Sequence, residues 1–193
     1  MKILICGDSF AAPSSKDNVS WHYRLGLDHS VTNYAQAGCS EYKILKQIQK
    51  AKIEDYDSII VSHTSPNRVY IQQHPCYANN EFFKNADLIY LDVLSHLDED
   101  SNNKILNTAK DYFEYIFDKE YYQTIYCLLQ EKIQQLTKNI PCLNLLTLFD
   151  ENIIQMENVI NLSKHCQLKP GMIGHYSDSD HLKIYKLITK WLK

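Results

Sequence analysis

The stretch Lys2-Ile3-Leu4-Ile5-Cys6-Gly7-Asp8-Ser9-Phe10 decides how this chain is read. Lys2 to Cys6 is a short, continuous apolar run without the alternation of a half-exposed strand, the pattern of a strand buried on both faces of a parallel sheet. The run stops at Gly-Asp-Ser, a cluster that continues neither a strand nor a helix comfortably. The first strand is therefore expected to end at Cys6. Ser9 is then either a turn former or a nucleophile held at the tip of a strand.

Outward from this point the chain alternates. A polar loop over 11–18 leads into Val19 to Leu27, where Trp21, Leu25 and Leu27 have helical spacing, and 29–35 (HSVTNYA) predicts a second strand. In 40–53 the apolar Ile44, Leu45, Ile48 and Ile53 share one helical face. A third strand follows over 56–64 (YDSIIVSHT), again apolar and ending in polar residues. This β-α-β-α-β order predicts a doubly wound, mostly parallel sheet with helices on both faces, a three-layer α/β/α sandwich. Ligands in such sheets sit outside the carboxyl ends of the strands.

The remainder is read in the same way. Residues 65–83 are polar and long for a simple connection, a candidate substrate-side loop. Ala86 to Leu97 and Ile105 to Leu136 have helical character, the second with a break near Asp118-Lys119. The stretch 140–149 (IPCLNLLTLF) predicts the fourth strand and 159–162 (VINL) a short fifth. Ser177 and Asp180 form a capping box that opens a last helix, with Leu182, Tyr185, Ile188, Trp191 and Leu192 on one face. The expectation is one domain over 1–193 with an inserted loop and helical region at about 65–138.

Composition bounds the function. With 193 residues, 45% hydrophobic and 22% charged, the chain has material for a sizeable core. The net charge is −3 and the lysines are scattered, so nothing asks for a nucleic acid partner. The first apolar run is too short for a signal-peptide core, no stretch approaches a membrane span, and the six cysteines include no CxxC pair. These features predict a cytoplasmic protein with reduced thiols and no membrane span. His165, Cys166, His175 and His181 have no compact metal-ligand spacing, so neither a metal nor a cofactor is expected.

Three loops follow strand ends on one rim: Gly7-Asp8-Ser9-Phe10, Ala37-Gly38-Cys39-Ser40 and His63-Thr64-Ser65-Pro66-Asn67-Arg68. A fourth segment, 174–181 (GHYSDSDH), precedes and opens the last helix. A serine, backbone amides, an amide side chain and a histidine converging there are the parts of an acyl-transfer site.

These blocks resemble the SGNH hydrolases, the GDSL-type esterases. The Gly-Asp-Ser block supplies Ser9, and Asn33-Tyr34-Ala35-Gln36-Ala37-Gly38-Cys39-Ser40 matches the family's second block, which carries over Gly38. The resemblance implies a flavodoxin-like SGNH fold, with Ser9 as nucleophile and Ser9 and Gly38 amides in the oxyanion hole. The third block departs from the family's Gly-x-Asn-Asp. Asn67 is the leading donor amide there, with Thr64 and Ser65 as alternatives. The last block has two alignments. In the preferred one His175 is the base, His181 belongs to the helix, and Met172 stands where the family has its aspartate. In the other, Asp178 and His181 complete a triad with Ser9.

The activity implied is hydrolysis of an ester, O-acetyl groups included, on a small acylated metabolite or glycan. An acyltransferase uses the same acyl-enzyme but excludes water. A non-catalytic binding module of the same fold is the reading from another class, favoured by the missing aspartate. The oligomeric state is left open.

Overall fold

The computed structural model describes residues 1–13, 18–77, 79–147, 156–167 and 176–193. Five strands, β1 (Lys2–Gly7), β2 (Ser30–Asn33), β3 (Ser58–His63), β4 (Cys142–Leu146) and β5 (Val159–Asn161), form one sheet in the order β2-β1-β3-β4-β5. Every pairing is parallel. This is the flavodoxin-like order of a doubly wound α/β fold.

Among the described residues six α-helices accompany the sheet: α1 (Trp21–Asp28), α2 (Glu41–Lys50), α3 (Tyr90–Glu99), α4 (Lys104–Tyr115), α5 (Lys119–Thr137) and α6 (Asp178–Trp191). The pleat divides each strand between two cores, because successive side chains point to opposite faces. Ile3 and Ile5 of β1 join Ile60, Leu143, Leu145, Trp21, Leu25, Ile184 and Ile188 on the α1 and α6 side. Leu4 and Cys6 join Ile59, Val61, Ile44, Ile48 and Ile133 on the α2 and α5 side. The unbroken apolar run in β1 follows directly: neither face of the central strand meets water.

The chain between β3 and β4 adds a third, smaller core. Leu88, Val93, Leu106 and Ala109 are buried together beside Val69, Ile71, Leu97 and Phe113. Backbone bonds between Val69 and Leu88 close this segment into a loop, and α5 then returns to the sheet to bury Ile133. The break expected near Asp118 is real, because the Asp118 carboxylate accepts from the Tyr121 amide and caps α5 at 2.9 Å.

Several boundaries shift. Strand β1 runs one residue further, through Gly7, because Gly7 still pairs with Ser62. Helix α3 starts at Tyr90, after an extended stretch that pairs with Val69. Ile53 packs against the α2 cluster from a 3₁₀ turn (Ile53–Asp55) rather than from the helix. The buried stripe of α6 is His181, Ile184 and Ile188, and Leu182 is only partly covered. None of the six cysteines is in a disulfide. Among the described residues no helix is long and apolar enough to cross a membrane.

Gly7 lies where β1 passes close against Ser62 of β3. A Cβ built there would lie 2.6 Å from the Ser62 Cβ and 2.8 Å from its carbonyl oxygen. Gly26, exposed in the middle of α1, would meet nothing within 4 Å. Gly7→Ala is therefore expected to cost about 1–3 kcal/mol in urea unfolding, the usual overpacking range. Gly26→Ala should raise stability by up to about 1 kcal/mol through helix propensity. Equal effects from the two substitutions would contradict the packing described.

Candidate active site

The tip of β1 is clamped before Ser9 is reached. The Gly7 N–H donates to Gln47 Oε1 at 2.7 Å, and the Gly7 carbonyl accepts from Gln47 Nε2 at 3.1 Å. The same carbonyl accepts from the Gln36 amide at 3.0 Å and faces the Cys39 thiol at 3.3 Å. Beyond it the chain turns sharply. Asp8 Oδ1 accepts from the Phe10 amide at 3.1 Å, and the Asp8 carbonyl accepts from the amides of Ala11 and Ala12. Trp21 Nε1 donates to the Phe10 carbonyl at 3.0 Å and Asn33 Nδ2 to the Ala11 carbonyl at 2.8 Å. Ser9 sits at the head of this turn, 5% exposed.

Asp8 is wholly buried. Burial pushes its carboxyl up to about 6, against the lowering effects of the Arg68 guanidinium, the Phe10 amide and the Thr64 hydroxyl.

Gly38 lies beyond the end of β2, beside β1. Its φ of 72° is in the left-handed region, where glycine carries no Cβ penalty. Its carbonyl is taken by the Asp87 amide at 2.9 Å and Arg68 Nη1 at 3.1 Å. Its own N–H makes no hydrogen bond among the described residues. The sequence alone suggests that a Cβ here would crowd a substrate. In the structure it would meet the Ala86 Cβ at 2.8 Å, so the glycine is also a packing requirement.

The loop after β3 is held by its first two residues. Thr64 uses all its polar atoms: its amide donates to Glu41 Oε2 at 3.4 Å, its carbonyl accepts from the Tyr126 hydroxyl at 2.9 Å, and Oγ1 accepts from Arg68 Nε at 3.1 Å. Ser65 Oγ accepts from the Asn67 amide at 3.2 Å. The half-buried Asn67 side chain makes no hydrogen bond among the described residues. Of the three donors considered from sequence, Asn67 is the one whose side chain makes no hydrogen bond among the described residues, while Ser65 Oγ accepts one and keeps its own O–H to donate.

Beneath the loop lies a buried polar cluster that sequence reading missed. His63 Nδ1 is 2.6 Å from Glu41 Oε1, and His63 Nε2 is 2.9 Å from Asn144 Oδ1. Asn144 Nδ2 donates to the Glu157 carbonyl, which turns its oxygen toward the imidazole and makes Nε2 a donor. Burial alone pushes the His63 imidazole down, but the Glu41 carboxylate, with its hydrogen bond and that of Asn144, raises it overall. Asp87, also buried, accepts from the amides of Ser40 and Ile71 and pairs with Lys43 at 2.7 Å. Glu41 opens a helix and reads as a solvated, dipole-favoured acid. His63 reads as the polar end of a strand. Only their spatial pairing reveals them. Arg68, which bridges Thr64 to Gly38, had no signal beyond its place in the third rim loop.

His175 and Met172 lie outside the described residues. The segment after them begins at Tyr176, a buried ring 5.3 Å from Phe10 in a tilted contact. Ser177 caps α6 as expected: its Oγ accepts from the Asp180 amide at 3.2 Å and donates to Asp180 Oδ2 at 2.7 Å. Asp178 is exposed at the first helical position. His181 is buried on the helix face, edge-on to Tyr176 at 5.7 Å. The structure thus gathers Ser9, Gly38, Thr64 and Arg68 along one rim, with Asn67 in the same loop and Tyr176 against Phe10.

No family model matches this sequence, and no curated protein matches it. Among solved structures the chain is similar to a possible lipase from Chitinophaga pinensis DSM 2588, at 12% identity and a TM-score of 0.31. The alignment covers 97% of this chain and 65% of that one, so this chain spans just under two thirds of its length.

The His63–Glu41 pair has a pH signature. A histidine whose value is raised on folding contributes stability that is fully present below its unfolded value of about 6.5 and is lost as pH rises through the folded value. Urea unfolding between pH 6 and 8 should therefore show the wild type losing stability more steeply than His63→Gln. Parallel curves would show that the pair does not titrate in this window.

Proposed function

We propose that this chain is a serine hydrolase of the SGNH type, cleaving an ester of a small acylated metabolite or glycan through a Ser9 acyl-enzyme. The observation that carries the reading is the Gly38 amide. It has no hydrogen-bond partner among the described residues, beside the clamped Gly-Asp-Ser turn, while the Gly38 carbonyl is doubly held and its backbone lies in the left-handed region. A preorganised, unpaired N–H next to a strand-tip serine is what stabilises a developing oxyanion.

In this mechanism His175 takes the Ser9 hydroxyl proton as Oγ attacks the ester carbonyl carbon. The negative charge gathering on the carbonyl oxygen is received by the Ser9 and Gly38 amides and the Asn67 side chain. The tetrahedral intermediate collapses, the C–O bond to the leaving alcohol breaks, and the proton on His175 passes to that alcohol. Water, deprotonated by His175, then attacks the acyl-enzyme and frees Ser9. The motif alignment supports His175, and the next residue, Tyr176, is described and packs on Phe10, the residue after the nucleophile. His181 and Asp178 are the weaker pair. One is committed to the α6 face and the other is exposed at the helix start, where an acid favours the dipole.

The test is a fluorophosphonate probe with mass spectrometry of the labelled peptide. Label is expected on Ser9, absent in Ser9→Ala and His175→Ala, and retained in His181→Ala and Asp178→Asn. Asn67→Ala should lower turnover of an activated ester by about 10²–10³, the usual effect of one oxyanion donor. Folded protein that takes no label would point to the binding module. Loss of label in His181→Ala and Asp178→Asn, but not in His175→Ala, would reassign the site to the other alignment.

A further inference from the structure

A cleft of about 70 Å³ opens between the start of α2, the 65–70 loop and α5. Ser40, Glu41, Ser65 and Arg68 are among the residues that line it, with Tyr42 and Tyr70 at its edge. Three features of this cleft point to a ligand of one kind.

The first is Arg68. Nε donates to Thr64 Oγ1 and one Nη1–H to the Gly38 carbonyl. A guanidinium carries five N–H donors in a fixed fork, so three are uncommitted among the described residues. Arg68 makes no close ion pair among them, although its charge also acts on the buried Asp8 carboxyl. The second is Ser40, the residue before α2. It is 4% exposed, lines the cleft, and its Oγ has no hydrogen-bond partner among the described residues. At a helix start the serine hydroxyl ordinarily caps the first turn, but here it makes no cap bond. The third is the ten-residue helix α2 itself, which starts at the cleft with Ser40, Glu41 and Tyr42 among its lining, the Ser40 amide being already taken by the Asp87 carboxylate. The one acid lining the cleft, Glu41, is paired with His63 at 2.6 Å.

We propose that this cleft is a subsite for a small organic oxyanion, a carboxylate or phosphate carried on the substrate. The guanidinium fork and the Ser40 hydroxyl would hold the anionic group. The organic body would lie on the aromatic rim, where Tyr42 and Tyr70 meet edge-on at 5.0 Å with Lys46 and Lys43 over their rings. The volume admits the charged group but not a ring, so the rim takes the rest. As a specificity element the subsite rests on the hydrolase reading; as a binding site it does not. Arg68 ties the two together, since the same side chain holds the Gly38 carbonyl.

Binding is best measured by titration calorimetry on the Ser9→Ala protein, where nothing can turn over. The probes are inorganic phosphate, methyl glucuronide and the neutral methyl glucoside, at constant ionic strength. At least one anion is expected to bind ten-fold or more tightly than the glucoside, and the pair of anions separates phosphate from carboxylate recognition. Arg68→Gln should lose at least ten-fold of that affinity and Ser40→Ala several-fold. Ser40→Ala removes an unpaired hydroxyl and so should remain folded if Arg68→Gln does not. Anions that bind no better than the glucoside, or affinity unchanged in Ser40→Ala, would overturn the subsite. Anion binding with this mutational pattern upholds it whatever the labelling of Ser9 shows.

Discussion

The side-chain amide of Gln47 is the constraint on which the rim of the sheet depends. A parallel strand that ends in a turn leaves its last N–H and C=O buried without ladder partners, and each would cost about 1–3 kcal/mol if unmatched. Gln47 reaches from α2 and matches both groups of Gly7 with one donor and one acceptor. The strand tip and α2 are thereby fixed to each other. The segment just before α2 inherits this registration, which carries Gly38, Cys39 and Ser40 to the side of the Gly-Asp-Ser turn.

From α2 the same logic passes to the third strand. Glu41, the first residue of the helix, reaches His63 and the Thr64 amide, so the loop after β3 is tied to the loop after β2 by one carboxylate. Arg68 returns the tie by holding Gly38 from the far end of that loop. Buried charges of this kind add little net stability, because desolvation offsets much of the Coulomb attraction. What they supply is a single arrangement, since breaking any one contact strands a charge in a dry interior. Asp8 shows the cost most plainly, its carboxyl pushed up to about 6 by burial despite the nearby guanidinium.

The framework was legible in the sequence because it is periodic. The continuous apolar runs of β1 and β3 state that both faces are covered, and the helical spacing of Ile44, Leu45 and Ile48 states which face covers them. The Ser177 cap and the break at Asp118 were readable from local chemistry alone. Of the face expected for α6, Ile188 is buried and Tyr185, Trp191 and Leu192 pack against the same core, while Ile184 joins them and Leu182 stays only partly covered. Ser9, Gly38 and Asn67 could be nominated from short motifs. Glu41, His63, Asn144, Asp87 and Arg68 could not, because they belong together only through pairings 16 to 81 residues apart in sequence.

That division has a physical reason. Apolar burial is non-directional and tolerates many partners, so it leaves a repeating trace in the chain. A buried polar contact needs one partner at one distance and angle, which no repeat encodes. The rim of this protein is built almost wholly from the second kind of contact. Thr64 is satisfied by side chains from elsewhere, and the Gly7 and Gly38 carbonyls by side chains together with the Gln36 and Asp87 amides. Against that background the polar atoms with no partner among the described residues become informative, and on this rim they include the Gly38 amide, the Asn67 side chain, the Ser40 hydroxyl, Asp8 Oδ2 and three N–H groups of Arg68. Buried polar atoms elsewhere are also unmatched, both side-chain amide atoms of Gln130 on α5 among them, so the proposed subsite rests on the grouping of these atoms along one rim and not on a missing partner alone.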